Sequence, residues 1–339
     1  MLEKRVVNDA INKMQDKKYL NYIYQINDNE PDNVLKAWLE YKYPSLASEK
    51  NKTEIDLDVS LFAIVTYCIE LEKLKDSNAG MLVRIEEQMD NKSNYSIKLN
   101  DSLEIRGDWL TSPLHIIKLY MGFLWEEHMK YDSCSPYARL YKRTTRKHLL
   151  FAPEGKWEEY CYENADIIWD SFDEEAKIFL VNTISAGNFI NMPIYINPCR
   201  CKAFGGDDTI DTLLWKMYCS FTLCTEGNSN ALDNYLKKAF SGKNQELARE
   251  NVKNWIKLYD NSWDKFIEYN YLSSMVFKTN NKCGRPFDLR KEKQPISLRI
   301  GEEYNPLPKS IEECRSMFKN YNSVVDIRTI EIFEKVIKS

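Results

Sequence analysis

Between Asn182 and Thr225 an apolar extended segment, a glycine pair, an acidic cluster and an amphipathic helical pattern follow one another without a break. No other stretch constrains the fold as much. Residues Phe189 to Asn197 read as a strand, and Pro193 favours a sheet edge or a bulge because proline has no amide hydrogen to give to a ladder. Gly205-Gly206 allows a tight turn. Asp207 or Asp208 is then predicted to cap a helix whose apolar positions Ile210, Leu213, Leu214, Met217, Tyr218 and Phe221 share one face.

Most of the remaining chain carries helical spacing. Apolar residues recur at that period over residues 3–26, and Leu57, Leu61, Ile64, Cys68, Leu71 and Leu74 line one face of a further helix. Asp32 is expected to cap a helix that Pro44 terminates, and Thr111-Ser112-Pro113 to open one with proline at its first position, running to about residue 130. Three helices are expected over residues 231–240, 247–259 and 263–271, and two short ones from Ser310 and from about Asp326. Alternation around Asn100-Asp101 predicts a hairpin over residues 94–106. Residues 279–308 hold four of the eleven prolines and predict an irregular crossing segment, a hinge or an extended arm.

The expected class is therefore α+β, mainly α-helical with a small mixed or antiparallel sheet. The organisation reads as a helical lobe over residues 1–150 with its hairpin near 95–105, and an α+β lobe over 151–339 centred on 182–225; one compact domain is the other arrangement. With 11 glycines and 11 prolines in 339 residues, little room is left for linkers or low-complexity tracts.

Charge narrows the partners. The 47 basic and 51 acidic residues leave a net charge of −4, so an electrostatic partner has to be recognised by a local patch. Such a patch exists at Arg139, Lys142, Arg143, Arg146 and Lys147, flanked by Tyr137 and Tyr141, which could stack on bases. It is followed over residues 154–175 by nine carboxylates against the single Lys156, and the two runs are expected to face solvent or each other. RNA or a nucleotide is the expected phosphate-bearing partner, with Arg200 as a further contact; another protein, met by exposed Trp and Tyr residues, is the alternative.

The N-terminal residues lack the apolar core of a signal peptide, and the longest apolar run, Leu61 to Ile69, is far shorter than the roughly 20 residues that cross a bilayer. A cytoplasmic protein with no membrane segment is expected. The nine cysteines have no framework spacing and read as reduced thiols.

Four chemical patterns compete with these readings. Asp207, Asp208 and Asp211 match the aspartate-rich motif that holds magnesium in terpene synthases, but acids in a first helical turn are favoured by the helix dipole alone. Cys199, Cys201, Cys219 and Cys224 could supply zinc thiolates, yet the last two would stand about 140° apart around one helix. Arg143 and His148 have the spacing of HEPN-type ribonucleases, though Thr144-Thr145 and the apolar residues after His148 favour an extended chain. Glu40 and Lys42 after Pro31-Asp32 superficially match a metal-dependent nuclease core, but they fall in a predicted helix where that core needs strands. No cofactor and no metal is expected, and the residues leave catalysis itself open.

Asn182, Thr183, Ile184, Gly187, Ile196, Asn197, Arg200, Asp208, Asp211, Leu213 and Leu214 together resemble a family of bacterial proteins of unknown function. The aromatic helix from Phe266 to Tyr271 and an Arg106-Gly107-Asp108 turn with Ser112 extend the resemblance to about half of the chain. It implies no activity and carries no site.

Overall fold

The computed structural model describes residues 33–42, 96–100, 103–142, 156–183, 185–196, 209–227, 229–242, 244–280 and 282–337. The helices expected over residues 3–26 and 57–74 lie outside them. Helix α1 (Val34–Lys42) buries Val34, Leu35, Trp38 and Leu39 on one face. Its cap is Asn33, one residue beyond the expected Asp32, whose Oδ1 accepts the Lys36 amide at 3.0 Å.

The α+β class holds, with helices predominating and the sheets small and antiparallel. Strands β1 (Ser96–Asn100) and β2 (Leu103–Trp109) form the expected hairpin, and β3 (Phe189–Pro193) adds to β2, giving the order β1-β2-β3. Pro193 stands at the end of this edge strand, opposite Ile105. Its missing amide therefore costs no ladder bond, and the strand stops there rather than at Asn197. Arg106, Gly107 and Asp108 lie within β2 opposite Met192, Asn191 and Ile190, so the turn expected there is a strand.

Helix α2 (Leu114–Tyr131) begins one residue later than expected. Pro113 is its cap residue and has no side-chain oxygen to cap with, while the Thr111 hydroxyl is turned to the Ile210 amide. Helix α3 (Pro136–Lys142) is started by Ser135, whose Oγ accepts the Ala138 amide at 3.1 Å. Tyr137 is fully buried and donates to the Met121 carbonyl at 2.9 Å, so this tyrosine is part of the core and not a platform for bases. The acidic stretch folds as α4 (Lys156–Glu163), α5 (Ala165–Ser171) and α6 (Glu174–Thr183). It packs against α3, with Tyr160 donating to the Leu140 carbonyl at 3.2 Å.

After a single 3₁₀ turn (Ala186–Asn188) and β3, helix α7 (Ile210–Thr225) buries Ile210, Leu213, Leu214, Met217 and Phe221, as its apolar stripe demands. Helices α8 (Ser229–Ala239), α9 (Gln245–Leu258) and α10 (Trp263–Tyr269) follow. A second 3₁₀ turn (Ser273–Met275) leads into the hairpin of β4 (Val276–Thr279) and β5 (Lys282–Pro286).

The chain closes with one helix of 27 residues, α11 (Ile311–Ile337), where two short helices were expected. Asn320, Asn322 and Ser323 are poor helix formers and suggest a break. They are overridden because Ile311, Cys314, Met317, Phe318, Tyr321, Val324, Val325 and Ile332 form one buried stripe through that region. Helix α11 packs on α6, on both 3₁₀ turns and on α2, and one continuous core cluster joins Val34 and Leu35 to Val324 and Val325.

The segment after β5 is neither a hinge nor a free arm. Arg285 donates to the carbonyls of Ile296 and Leu298, Trp215 donates to the Glu302 carbonyl at 2.8 Å, and Leu289, Ile296 and Tyr304 are buried. Backbone carbonyls that have no ladder find side-chain donors instead.

Candidate functional site

Two buried polar clusters meet at the start of α7. The first joins four elements around Asn188. Its side chain exchanges bonds with the backbone of Thr111, accepting from the amide at 2.9 Å and donating to the carbonyl at 2.8 Å, and also donates to the Thr183 carbonyl at 2.7 Å. Thr111 Oγ1 in turn accepts the Ile210 amide at 3.0 Å, so the first free N–H of α7 is satisfied from the β2–α2 connection. Asn182 donates to Asn322 of α11 at 3.3 Å. Asn182, Thr183 and Asn188 are thus fasteners between elements.

Gly187 belongs to the same cluster. A Cβ there would lie 2.3 Å from the Val325 carbonyl oxygen and 2.4 Å from Thr329 Oγ1, and the Gly187 amide donates to that hydroxyl at 3.0 Å. Only glycine lets the 3₁₀ turn touch α11. Beside it the buried Arg328 donates to the carbonyls of Gly187 and Phe189 at 2.6 Å each and to that of Asn270 at 3.0 Å. Burial pulls this guanidinium down, to about 9.

The second cluster contains Asp211, which is 1% exposed and so neither a surface cap nor an open ligand. Its Oδ2 stands 2.6 Å from the Tyr304 hydroxyl and 3.3 Å from the Leu289 amide, and its Oδ1 accepts the Thr212 amide at 3.0 Å. The same hydroxyl is 2.8 Å from Asp288 Oδ1. Arg290 grips Asp288 through Nε at 2.9 Å and Nη2 at 3.0 Å, with its guanidinium 5.2 Å from the centre of the Tyr304 ring. Lys291 Nζ lies 3.6 Å from Asp288 Oδ2.

Burial raises the Asp211 carboxyl, with Asp288 adding to the effect, against hydrogen bonds from Tyr304, Thr209 and the Leu289 amide. Burial also works on Asp288, but hydrogen bonds from Arg290 and Tyr304 and the charge of Arg290 bring it below the usual carboxylate range. Burial and the two carboxylates push the Tyr304 phenol well up. This chain can hold a proton between two acids, and it ties residues 288–304 to α7.

Of the residues expected to form a site, only two are described. Arg139 is exposed on α3 and pairs with no described carboxylate. Asp211 is enclosed as above. Arg143, Arg146, Lys147, His148, Arg200 and Asp208 lie outside the described residues, as do Asp207, Cys199 and Cys201. Cys219 is buried, its Sγ accepting the Gly301 amide at 3.5 Å, while Cys224 is half-buried. Among the described residues no group of three His, Cys, Asp or Glu side chains is placed to hold a metal ion, and no helix is long and apolar enough to cross a membrane.

Sequence reasoning missed Asp288, Arg290 and Tyr304, which are spread through a segment without periodicity. It also missed a grouping of His115 and Lys118 on α2 with Glu158 and Cys161 on α4. There the Lys118 ammonium lies 5.3 Å from the Trp157 ring centre, and burial lowers the pKa of both bases while raising that of the Cys161 thiol. Of the eight tryptophans five are buried and Trp109, Trp125 and Trp169 are half-buried, whereas Tyr131 is 73% exposed. No family model, no curated protein and no solved structure matches the chain.

Proposed function

We propose that this protein binds a phosphate-bearing partner, RNA or a nucleotide, through the basic run that starts at Arg139. The observation that carries the reading is the exposure of Arg139 on a helix whose opposite side is fixed in the core by Tyr137 and Ala138. Arg143, Arg146 and Lys147 follow directly in the chain and would extend the same cationic surface. Arginine suits this role because its planar fork can give two parallel hydrogen bonds to one phosphate. The acidic helix α5 packs on α3, yet Arg139 pairs with no described carboxylate and stays open to a phosphate.

The test is binding of labelled single-stranded RNA and of a nucleoside triphosphate to the full chain at low salt, with the Arg143→Ala, Arg146→Ala, Lys147→Ala triple variant beside it. Saturable binding that the triple variant loses supports the reading; equal binding by both proteins overturns it. In the ribonuclease version His148 supplies acid and base, and His148→Ala would abolish cleavage while sparing binding.

A second reading, a protein-interaction module, is favoured by Ile327 and Ile330. They are 47% and 58% exposed and three residues apart on α11, so they share one helix side.

A further inference from the structure

We propose that Asp211 is a protonated carboxylic acid at neutral pH, donating from Oδ2 to the Tyr304 oxygen while Tyr304 donates to Asp288, so that a single held proton latches residues 288–304 onto α7. The Tyr304 oxygen stands within hydrogen-bond distance of one oxygen from each carboxyl, at 2.6 and 2.8 Å, but a phenol has one hydrogen to give. With both acids ionised, one carboxylate would face a phenol lone pair inside the core. One acid must therefore bring a hydrogen of its own.

The surroundings decide which. Both Asp288 oxygens accept from the Arg290 guanidinium, Oδ1 accepts the Arg290 amide at 3.1 Å as well, and Lys291 approaches Oδ2. Charged donors on each oxygen make Asp288 the carboxylate. Asp211 receives only neutral donors, from the Thr212 and Leu289 amides, with the Thr209 hydroxyl close by. Its burial is nearly complete, so it keeps the proton. The titratable and charged groups facing Asp211 are Asp288, Arg290 and Tyr304, all from the segment after β5. From α11 the neutral Asn320 donates to the Leu289 carbonyl at 2.9 Å.

The device follows from this arrangement. When pH rises far enough to remove the proton, two negative carboxylates share one phenol hydrogen, and the contact between α7 and residues 288–304 weakens without any change of ligand. The direction is opposite to that of an ordinary surface salt bridge, which acid breaks.

The test uses infrared difference spectra of the folded full chain. At neutral pH the wild-type protein should show the C=O stretch of a protonated carboxyl. The band should disappear in Asp211→Asn, whose amide can still donate to Tyr304, and should persist in Asp288→Asn if that variant folds. A titration of the wild type alone should remove the band on the alkaline side together with faster exchange of the Leu289 amide. Absence of the band in the wild type, or its survival in Asp211→Asn, overturns the proposal.

Discussion

Asn188 and Thr111 lie 77 residues apart in the chain and pair as two strand residues would, the Asn188 side chain taking the place of a backbone. Both are fully buried. Replacing Asn188 by Ala leaves the Thr111 amide and the carbonyls of Thr111 and Thr183 without partners, each worth about 1–3 kcal/mol when buried. A loss of about 4 kcal/mol is expected, read as a lower urea midpoint.

Gly187→Ala should cost about 2 kcal/mol or more, because the new methyl meets the Val325 carbonyl, which cannot move without bending α11. Adding Thr329→Ala removes only one of the two clashes. The double variant should therefore remain less stable than Thr329→Ala alone, as thermal melting would show.

Arg328 supplies the donors for three buried carbonyls. Arg328→Met should destabilise the fold by roughly 3 kcal/mol or more, since the carbonyls stay buried. Arg328→Lys should not restore stability, because one ammonium cannot span carbonyls that a planar fork reaches from two sides. Chemical denaturation of both variants checks this.

The two carboxyls of the Tyr304 chain should affect stability in opposite directions with pH. The folded-state pKa of Asp211 is raised, so its contribution is complete below the unfolded value of about 4 and is lost as pH rises through the folded value. For Asp288 the folded pKa is lowered, so its contribution is present above the unfolded value and lost as pH falls through the folded one. Urea midpoints measured against pH should show Asp211→Asn flattening the alkaline limb and leaving the acid limb in place.

Much of the fold could be read from local pattern. The stripe of α7 and the 95–105 hairpin appear where expected because their residues meet the core at the periods of helix and strand. The proline at the end of β3 was legible for the same local reason. The break expected within α11 was wrong because its asparagines are judged alone by propensity, whereas Asn322 is held against α6 by Asn182 and by the Glu175 carbonyl.

The candidate site was far less legible. Asp211 reads as an ordinary first-turn acid, and its partner Tyr304 stands 93 residues further on. Neither residue carries a spacing that points to the other. Tyr137 looked like a recognition aromatic because sequence position beside a basic run cannot tell a ring on the surface from one in the core.

The proposed function stands on phosphate contacts, and salt is their most direct probe. Binding of single-stranded RNA to the full chain should weaken linearly in log–log form as salt is raised, by about 0.7 of a log unit per log unit of salt for each phosphate neutralised. If the run from Arg139 to Lys147 makes three or four such contacts, the slope should lie near −2 to −3, and the Arg143, Arg146, Lys147 triple alanine variant, which keeps Arg139, should bring it to about −0.7 or shallower. A salt-independent affinity, or an unchanged slope in the variant, would contradict the account.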